Sequence, residues 1–488
     1  MNSQNLNLKD IFVELPISLK SAMNMINKNC LHIIFFVDSN MTLIGSLSDG
    51  DIRRAFLNDT SIDEVITFQS NIFNKKPVFL NTDASLNSYW EVFNSDITCI
   101  PLIDSNNKVI DFSTPDLVRR FPISTLDIGE LEKANVYDCL ESGWISSQGK
   151  FIPKFEKDFS DYLGGGYAIA VSNGTTALQL ALVSMGIGIG DEVILPDFTF
   201  GASINAIIHA GATPVLVDIN RDTWTIDLDA IRGAITKKTK AIMPVHIYGL
   251  AAELDEIKEI ALLHNLRIIE DCAEALGGSY KGGLIGSASE CACFSFFANK
   301  VITTGEGGMI LFKDESFANK ARILRDHGMS SKKRYWHEYA GFNFRLTNLQ
   351  AAIGVAQLSR INFFLKLRSQ LFETYNDILA NLPNLIFLPK NNWSKNSFWL
   401  YTLAVMRFDA RKRDSLISKL ALKGIDARPG FYPLHTMEPF KKYSQNRHPN
   451  SIWLSDSSIS LPSSPHMKID EIRYIANSFI QCLSELSC

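Results

Sequence analysis

The 488-residue sequence predicts an α/β protein: a large domain built on a mostly parallel, doubly wound sheet, a small α/β domain after it, and a duplicated α/β module before it. Two observations predict this. From Tyr167 onward, apolar strands alternate with amphipathic helical stretches: YAIAVS then TTALQLALVSMG, DEVILP, GATPVLVDI, AIMPVHI, ELDEIKEIALLHN then LRIIEDC. Such alternation is how a parallel sheet covered by helices on both faces reads. Ahead of it, two segments of the first 121 residues repeat one another.

The repeat comes first in the chain. Val37 to Phe56 reads VDSNMTLIGSLSDGDIRRAF, and Ile103 to Phe121 reads IDSNNKVIDFSTPDLVRRF. Each is a strand, an Asp-Ser-Asn turn whose side chains bond the local backbone, a second strand, and an Asp (Asp51, Asp116) opening a helix with paired arginines. Two such half-modules bury their apolar faces against each other. Pro122-Ile-Ser-Thr-Leu-Asp follows as an extended connector. Asn348 to Leu371 has helical periodicity and predicts one long helix leading out of the large domain. After it, LIFLP, FWLYTLAVMRF, DSLISKLALKG and GIDARP predict the smaller α/β domain. The expected division is 1–121, 122–375 (with an N-terminal arm) and 376–488.

Composition narrows the function. With 46% apolar and 20% charged residues the chain has material for sizeable cores, which excludes disorder as its main state. A net charge of −4 provides no global basic field, so nucleic acid is not an expected partner. The cysteines are few and scattered, as reduced thiols are. Cys291-Ala-Cys293 is too tightly spaced for a usual zinc pair, lacks a completing His-Cys cluster, and reads as buried thiols in an apolar strand; no metal is expected. The N-terminus lacks a secretory signal, and no apolar run approaches the ~20 residues of a membrane span. The expected location is the cytoplasm.

Four segments carry candidate chemistry. Ser172-Asn-Gly174-Thr175-Thr176 follows a strand and opens a helix, which makes an anion site from free backbone N–H groups and the helix dipole. Strand LRIIED ends in Glu270 and Asp271, where ligands sit in open parallel sheets and a carboxylate can pair with a cationic ring nitrogen. CACFSFFANK runs an apolar strand through Ser295 into Lys300 and then a Gly-rich turn; a desolvated lysine makes its neutral amine accessible for imine formation. Gly341-Phe-Asn343-Phe-Arg345 interleaves polar and aromatic residues just before a helix. Together, an anion cradle, an acid for a pyridinium nitrogen and a lysine for an aldehyde suggest pyridoxal 5′-phosphate.

With these motifs, residues 122–486 resemble the DegT/DnrJ/EryC1/StrS family of sugar aminotransferases. SGWISSQG (142–149), SNGTTAL (172–178), PDFTF (196–200), EDCAEALGGSYKG (270–282), FSFFANKVITTGEGGM (294–309), GFNFRLTNLQAAIG (341–354) and ARPGFYPLHTMEPF (427–440) carry the likeness. FSFFANK, KRYW (333–336) and the Arg-Pro…His-Thr-Met-Glu-Pro-Phe stretch are especially similar to that family's GDP-perosamine-forming branch. The resemblance implies the type I PLP-dependent aminotransferase fold. It implies Lys300 as the Schiff-base lysine and Asp271 as partner of the pyridinium nitrogen. Gly174, Thr175, Thr176 and Ser295 would bind the phosphate, and Phe200 would stack on the ring. Glu274 stands near the phenolic oxygen, where many members have Gln or His. Asn343 would reach the phosphate of the neighbouring subunit, which implies a homodimer. Ser147, Tyr335, Trp336, Arg428 and His435 lie in segments that face the sugar nucleotide in relatives, although each also has an ordinary structural reading.

The implied reaction moves the amino group of L-glutamate to a nucleotide-linked 4-keto-6-deoxy sugar, GDP-4-keto-6-deoxy-mannose by this resemblance, for surface glycan or O-antigen synthesis. A UDP- or dTDP-linked 4-keto or 3-keto sugar stands as the alternative. Gly45-Ser-Leu-Ser48-Asp-Gly-Asp51 in the N-terminal repeat resembles a CBS-domain pair, in which Ser48 and Asp51 would hold the ribose of an adenine nucleotide. A ligand-free structural or dimerising module is the other reading of that repeat. A nucleotide sensor with a transferase-like scaffold is the alternative for the whole chain.

Overall fold

The computed structural model describes residues 6–486 apart from positions 85, 95, 96, 116, 119 and 445. Asp116, expected to open the second helix of the repeat, lies outside the described residues. The chain divides into two compact units, Met1–Phe121 with Ala421–Ile425, and Pro122–Leu420 with Asp426–Cys488.

In the first unit, the sequence repeat is a structural repeat. Strand Ile33–Val37 pairs antiparallel with Leu43–Ser48, and Ile100–Ile103 pairs antiparallel with Val109–Ser113. Both ladders break register at the same place: Val37 faces Leu43 as Ile103 faces Val109, and Phe36 faces Gly45 as Leu102 faces Asp111. The turns match as well. Asp38 Oδ1 accepts the Asn40 and Thr42 N–H groups at 2.8 Å each. Asp104 Oδ1 accepts those of Asn106 and Lys108 at 2.8 and 2.9 Å. These backbone donors hold both carboxyls below their usual range. A short parallel strand flanks each pair, Phe12–Glu14 and Leu80–Asn81. One core joins the halves, with Phe12, Phe35 and Val37 meeting Ile103, Val109 and Phe112.

The second unit is organised by a seven-stranded sheet. Its strands are β1 (Tyr167–Val171), β2 (Glu192–Pro196), β3 (Thr213–Val217), β4 (Thr239–Ile242), β5 (Arg267–Asp271), β6 (Cys291–Ser295) and β7 (Gly308–Phe312), in the order β3-β2-β4-β5-β6-β7-β1. Strands β3 to β6 in that order are parallel neighbours, and β7 runs antiparallel to both β6 and β1. Both faces are covered, so the strands are apolar at successive positions. Alternation sorts them: Ile169, Val171, Cys291, Cys293, Ile310 and Phe312 enter one core, and Ala168, Ala170, Ala292, Phe294, Met309 and Leu311 enter the other. Cys291 and Cys293 are buried free thiols on one face of β6.

The expected long helix is two helices, α1 (Asn348–Ser359) and α2 (Ile361–Leu379). The break falls at Arg360, with φ −103° and ψ 3°. Its guanidinium reaches Asp127 Oδ2 at 2.6 Å and Glu132 Oε1 at 3.0 Å, and Gln357 Nε2 donates to the same Glu132 oxygen at 2.7 Å. Tertiary ion pairing at this residue overrides an uninterrupted apolar period. After α2, strands β8 (Leu385–Phe387), β9 (Tyr401–Val405), β10 (Arg428–Pro429) and β11 (Ser458–Leu461) form an antiparallel sheet in the order β8-β9-β11-β10. Among the described residues no helix is long and apolar enough to cross a membrane.

Candidate active site

The carboxyl ends of β1, β5 and β6 meet at one place, where an open parallel sheet holds its ligand. From β1 the chain turns through Ser172 and Asn173 into an α-helix, Gly174–Ser184. A reciprocal cap opens that helix. Asn173 Oδ1 accepts the Thr176 N–H at 2.9 Å, and Thr176 Oγ1 accepts the Asn173 N–H at 3.2 Å. The Gly174 and Thr175 N–H groups precede the first intrahelical bond and point outward from the helix end. The strands beside this turn approach it closely. A Cβ on Gly174 would stand 2.8 Å from the Cβ of Ser295, at the end of β6. A Cβ on Gly308 would stand 2.4 Å from the Asn173 carbonyl oxygen. The free main-chain N–H groups of this turn thus lie against Ser295, while the Thr176 hydroxyl is taken up by the cap; such a helix start is suited to an anion.

Asp271 ends β5, buried. Its Oδ2 accepts the Ser203 hydroxyl at 2.8 Å, and its Oδ1 accepts the Ala273 N–H at 3.1 Å. Burial nevertheless holds its carboxyl above the ordinary value, against the Ser203 and Ala273 hydrogen bonds. An unpaired cation placed there would relieve that burial cost, which is what a pyridinium nitrogen does. Lys300 follows β6 and sits within electrostatic reach of Asp271 and Glu274. Burial draws its amine below the ordinary lysine value, opposed by those two carboxylates. Glu274 is buried, and burial pushes it up to about 7, against the attraction of Lys300. Its Oε2 accepts the Tyr248 N–H at 2.7 Å. Tyr248 is held in the left-handed region at φ 48°, ψ 25°, an uncommon conformation for a non-glycine residue.

Behind this front rank stand Glu270, the other acid at the end of its strand, and groups that the sequence does not single out. His246 Nδ1 accepts the Ala252 N–H at 3.1 Å, so its proton sits on Nε2 and is donated to Glu270 Oε2 at 2.9 Å. Glu270 is fully buried, yet this bond and the Gly286 N–H keep its carboxyl below the ordinary value. Three rings stack beside Lys300. Its Nζ lies 3.9 Å from the Trp399 ring centroid, Tyr248 follows at 6.0 Å, and Phe431 at 5.5 Å from Tyr248. The only local signals were the Tyr-Gly pair after strand AIMPVHI and an aromatic at the start of a small-domain strand. Asn348 is another such group: its Nδ2 donates to the Trp144 carbonyl at 2.7 Å and its Oδ1 accepts the Phe151 N–H at 3.0 Å. It thereby clamps the segment that carries Ser147.

The other expected residues are placed as follows. His435 N–H and Nδ1 bind the two oxygens of the buried Asp197 at 2.8 and 2.6 Å. Phe200 is 62% exposed, its ring 6.0 Å from Phe431. Asn343 is exposed and accepts from Arg345 at 3.0 and 3.2 Å. Tyr335 and Trp336 are exposed, next to Arg334 and Lys333 respectively. Arg428 pairs with Asp426 at 3.3 Å. Thus Lys300, Asp271, Glu274, Gly174, Thr175, Thr176 and Ser295 are gathered, while Asn343, Tyr335, Trp336 and Arg428 stand on exposed stretches of the same unit. In the first unit, Ser48 and Asp51 cap the helix Asp49–Leu57. Ser48 N–H and Oγ reach Asp51 Oδ2 at 2.8 and 2.6 Å, and Asp51 N–H returns to Ser48 Oγ at 3.3 Å.

Comparison with known proteins matches residues 126–480 to the DegT/DnrJ/EryC1/StrS aminotransferase family. The chain belongs to that family. It is 49% identical over 310 residues to a GDP-perosamine synthase of Caulobacter vibrioides, covering 63% of this chain and 84% of that protein. It is 40% identical over 369 residues to a GDP-perosamine synthase of Escherichia coli O157:H7, covering 75% and 100%. Among solved structures, putative sugar aminotransferase Spr1654 from Streptococcus pneumoniae in its PLP-form superposes with TM-score 0.72 at 30% identity, covering 75% of this chain and all of that one. The chain is a sugar aminotransferase, and its cofactor is pyridoxal 5′-phosphate. The residues fit that group: a helix start with free main-chain N–H groups packed closely against Ser295, a buried carboxylate whose pKa burial raises, and a lysine that burial draws below its ordinary value.

Proposed function

We propose that this enzyme moves the amino group of L-glutamate to GDP-4-keto-6-deoxy-mannose, giving GDP-perosamine for a surface glycan. The carrying observation for the reaction class is the buried cluster of Lys300, Asp271 and Glu274 just past the carboxyl ends of β5 and β6. The names of the relatives at 40% and 49% identity support the choice of GDP-sugar. Bound there, pyridoxal phosphate supplies the aldehyde and the electron sink. The phosphate would rest on Gly174, Thr175, Thr176 and Ser295, and Asp271 would hold a proton on the ring nitrogen. Lys300, kept partly neutral by burial, removes a proton from the α-carbon of glutamate in one half-reaction. In the other half-reaction it delivers one to C4 of the sugar. Glu274 stands beside it with a proton affinity near neutrality, matched to exchange with Lys300 or with the phenolic oxygen. His435, fixed by Asp197, and Ser147, fixed through Asn348, face the sugar nucleotide.

The working unit in this reading is a homodimer in which Asn343 reaches the neighbouring subunit's phosphate. In such a dimer a second copy would cover some of the exposed rings of Trp144, Phe200, Tyr335 and Trp336. The N-terminal unit is read as a CBS pair, supported by matched strand registers and matched Asp turns. An adenine nucleotide at Ser48 and Asp51 would have to compete with the helix cap these two residues already form. The free thiols suit a cytoplasmic location.

Incubation with L-glutamate and a panel of GDP-, UDP- and dTDP-linked 4-keto sugars tests the substrate. The expected result is 2-oxoglutarate released with the GDP-sugar and a 4-amino product. Turnover confined to a UDP- or dTDP-sugar would refute the nucleotide.

A further inference from the structure

Lys300 is served by a part of the molecule that motif reading did not connect to it. Its Nζ stands 3.9 Å from the centre of the Trp399 ring, within the range at which an ammonium is held by an indole face. Trp399 is 4% exposed, and its plane is fixed from several directions. Its Nε1–H donates to the carbonyl of Asn299, the residue before Lys300, at 2.8 Å. Its own carbonyl accepts Nη1 of Arg368 at 2.7 Å. Arg368 is 2% exposed, and the same nitrogen also reaches the Phe398 and Ser463 carbonyls at 3.4 and 3.3 Å. Tyr248 stacks near-parallel to the indole, at 18°. The indole can neither rotate away nor slide without breaking one of these contacts.

We propose that Trp399 is the positioning residue for Lys300: its indole face seats the ε-ammonium whenever the side chain is free, and Arg368 holds that face in place. The inference rests on Lys300 being the acid–base group of the proposed reaction. It assigns a function to the segment leading into β9. The other charged groups facing Lys300 are Asp271 and Glu274, and the variants below leave both in place.

The sign of one titration decides. Two effects of Trp399 oppose each other. As an apolar cover it disfavours the ammonium; as a π face it favours it. The pH dependence of acylation of Lys300 in the full-length chain before cofactor loading, read by mass spectrometry of the Lys300 peptide, gives the amine's pKa. Trp399→Leu keeps much of the cover and removes the face, so the pKa is expected to fall by ~1 unit. Trp399→Phe, which retains a ring face, should recover at least half of that. Monofluoro- and difluorotryptophan at position 399 keep the shape and weaken the face, so the pKa should fall stepwise with fluorination. A rise or no change in Trp399→Leu, or a flat fluorination series, overturns the proposal; if Trp399→Leu does not fold, the fluorinated series decides alone. Loading wild type with pyridoxal phosphate separates the two claims. Absence of a visible band would fail the functional reading while the titration still judges Trp399.

Discussion

Asn348→Ala would separate positioning of the substrate-facing segment from the chemistry. In the wild type the Asn348 side chain gives Nδ2 to the Trp144 carbonyl and Oδ1 to the buried Phe151 N–H, at 2.7 and 3.0 Å, and also touches Cys139 Sγ at 3.2 Å. Its backbone N–H remains on the Ser146 carbonyl at 2.6 Å. Truncation strands one buried donor and one partly buried acceptor. At ~1–3 kcal/mol for each buried group left without a partner, the expected loss is ~2–4 kcal/mol. For a unit of this size that corresponds to ~4 °C in melting temperature. Because Ser147 lies between the two clamped points, KM for the sugar nucleotide should rise by ~10-fold while kcat falls less, the pattern of lost binding in both ground and transition states. Calorimetric melting with steady-state kinetics measures both. A shift below 1 °C with KM unchanged would refute the clamp.

Other expectations follow from the same geometry. Glu274 is held near pH 7 in the fold against 4.5 as its reference value, so its ionisation weighs against folding increasingly as pH rises between those values. The stability of Glu274→Gln relative to wild type should therefore climb by up to ~3 kcal/mol from pH 4.5 to 8, measured by denaturant titration; a flat difference would contradict the burial of that charge. Ser203→Ala removes the hydroxyl donated to Asp271. It should lower pyridoxal phosphate affinity by ~10-fold, in line with one charge-assisted hydrogen bond, as read by fluorescence titration. Ser48→Ala breaks a helix cap and should cost about 1 kcal/mol of the first unit's stability. Calorimetry with ATP and AMP on wild type and on this variant then shows whether the position also serves a nucleotide.

Much of the site was legible locally because the chemistry sits where strands end. Gly174 to Thr176, Asp271, Ser295 and Lys300 each follow an apolar strand within a few residues, and strand ends are where a parallel sheet binds. The N-terminal repeat was legible because its Asp turns impose the same register on both ladders. Other features depend on contacts between distant parts of the chain, which periodicity does not encode. The Asp197–His435 pair joins residues 238 positions apart, and the Asn348 clamp spans more than 190. Trp399 reaches Lys300 from the stretch just before β9. Arg360 looked like an ordinary helix residue, yet its ion pairs to Asp127 and Glu132 coincide with the break in the expected long helix. In the second half of the repeat Asp111 takes the register position that Gly45 holds in the first, facing Leu102 as Gly45 faces Phe36.

The account depends most on Lys300 carrying the coenzyme. Enzyme loaded with pyridoxal phosphate, reduced with borohydride and digested should yield one modified peptide, with the pyridoxyl group on Lys300, and none from Lys300→Ala. A label on a different lysine, or no label in protein that binds the coenzyme, would contradict it.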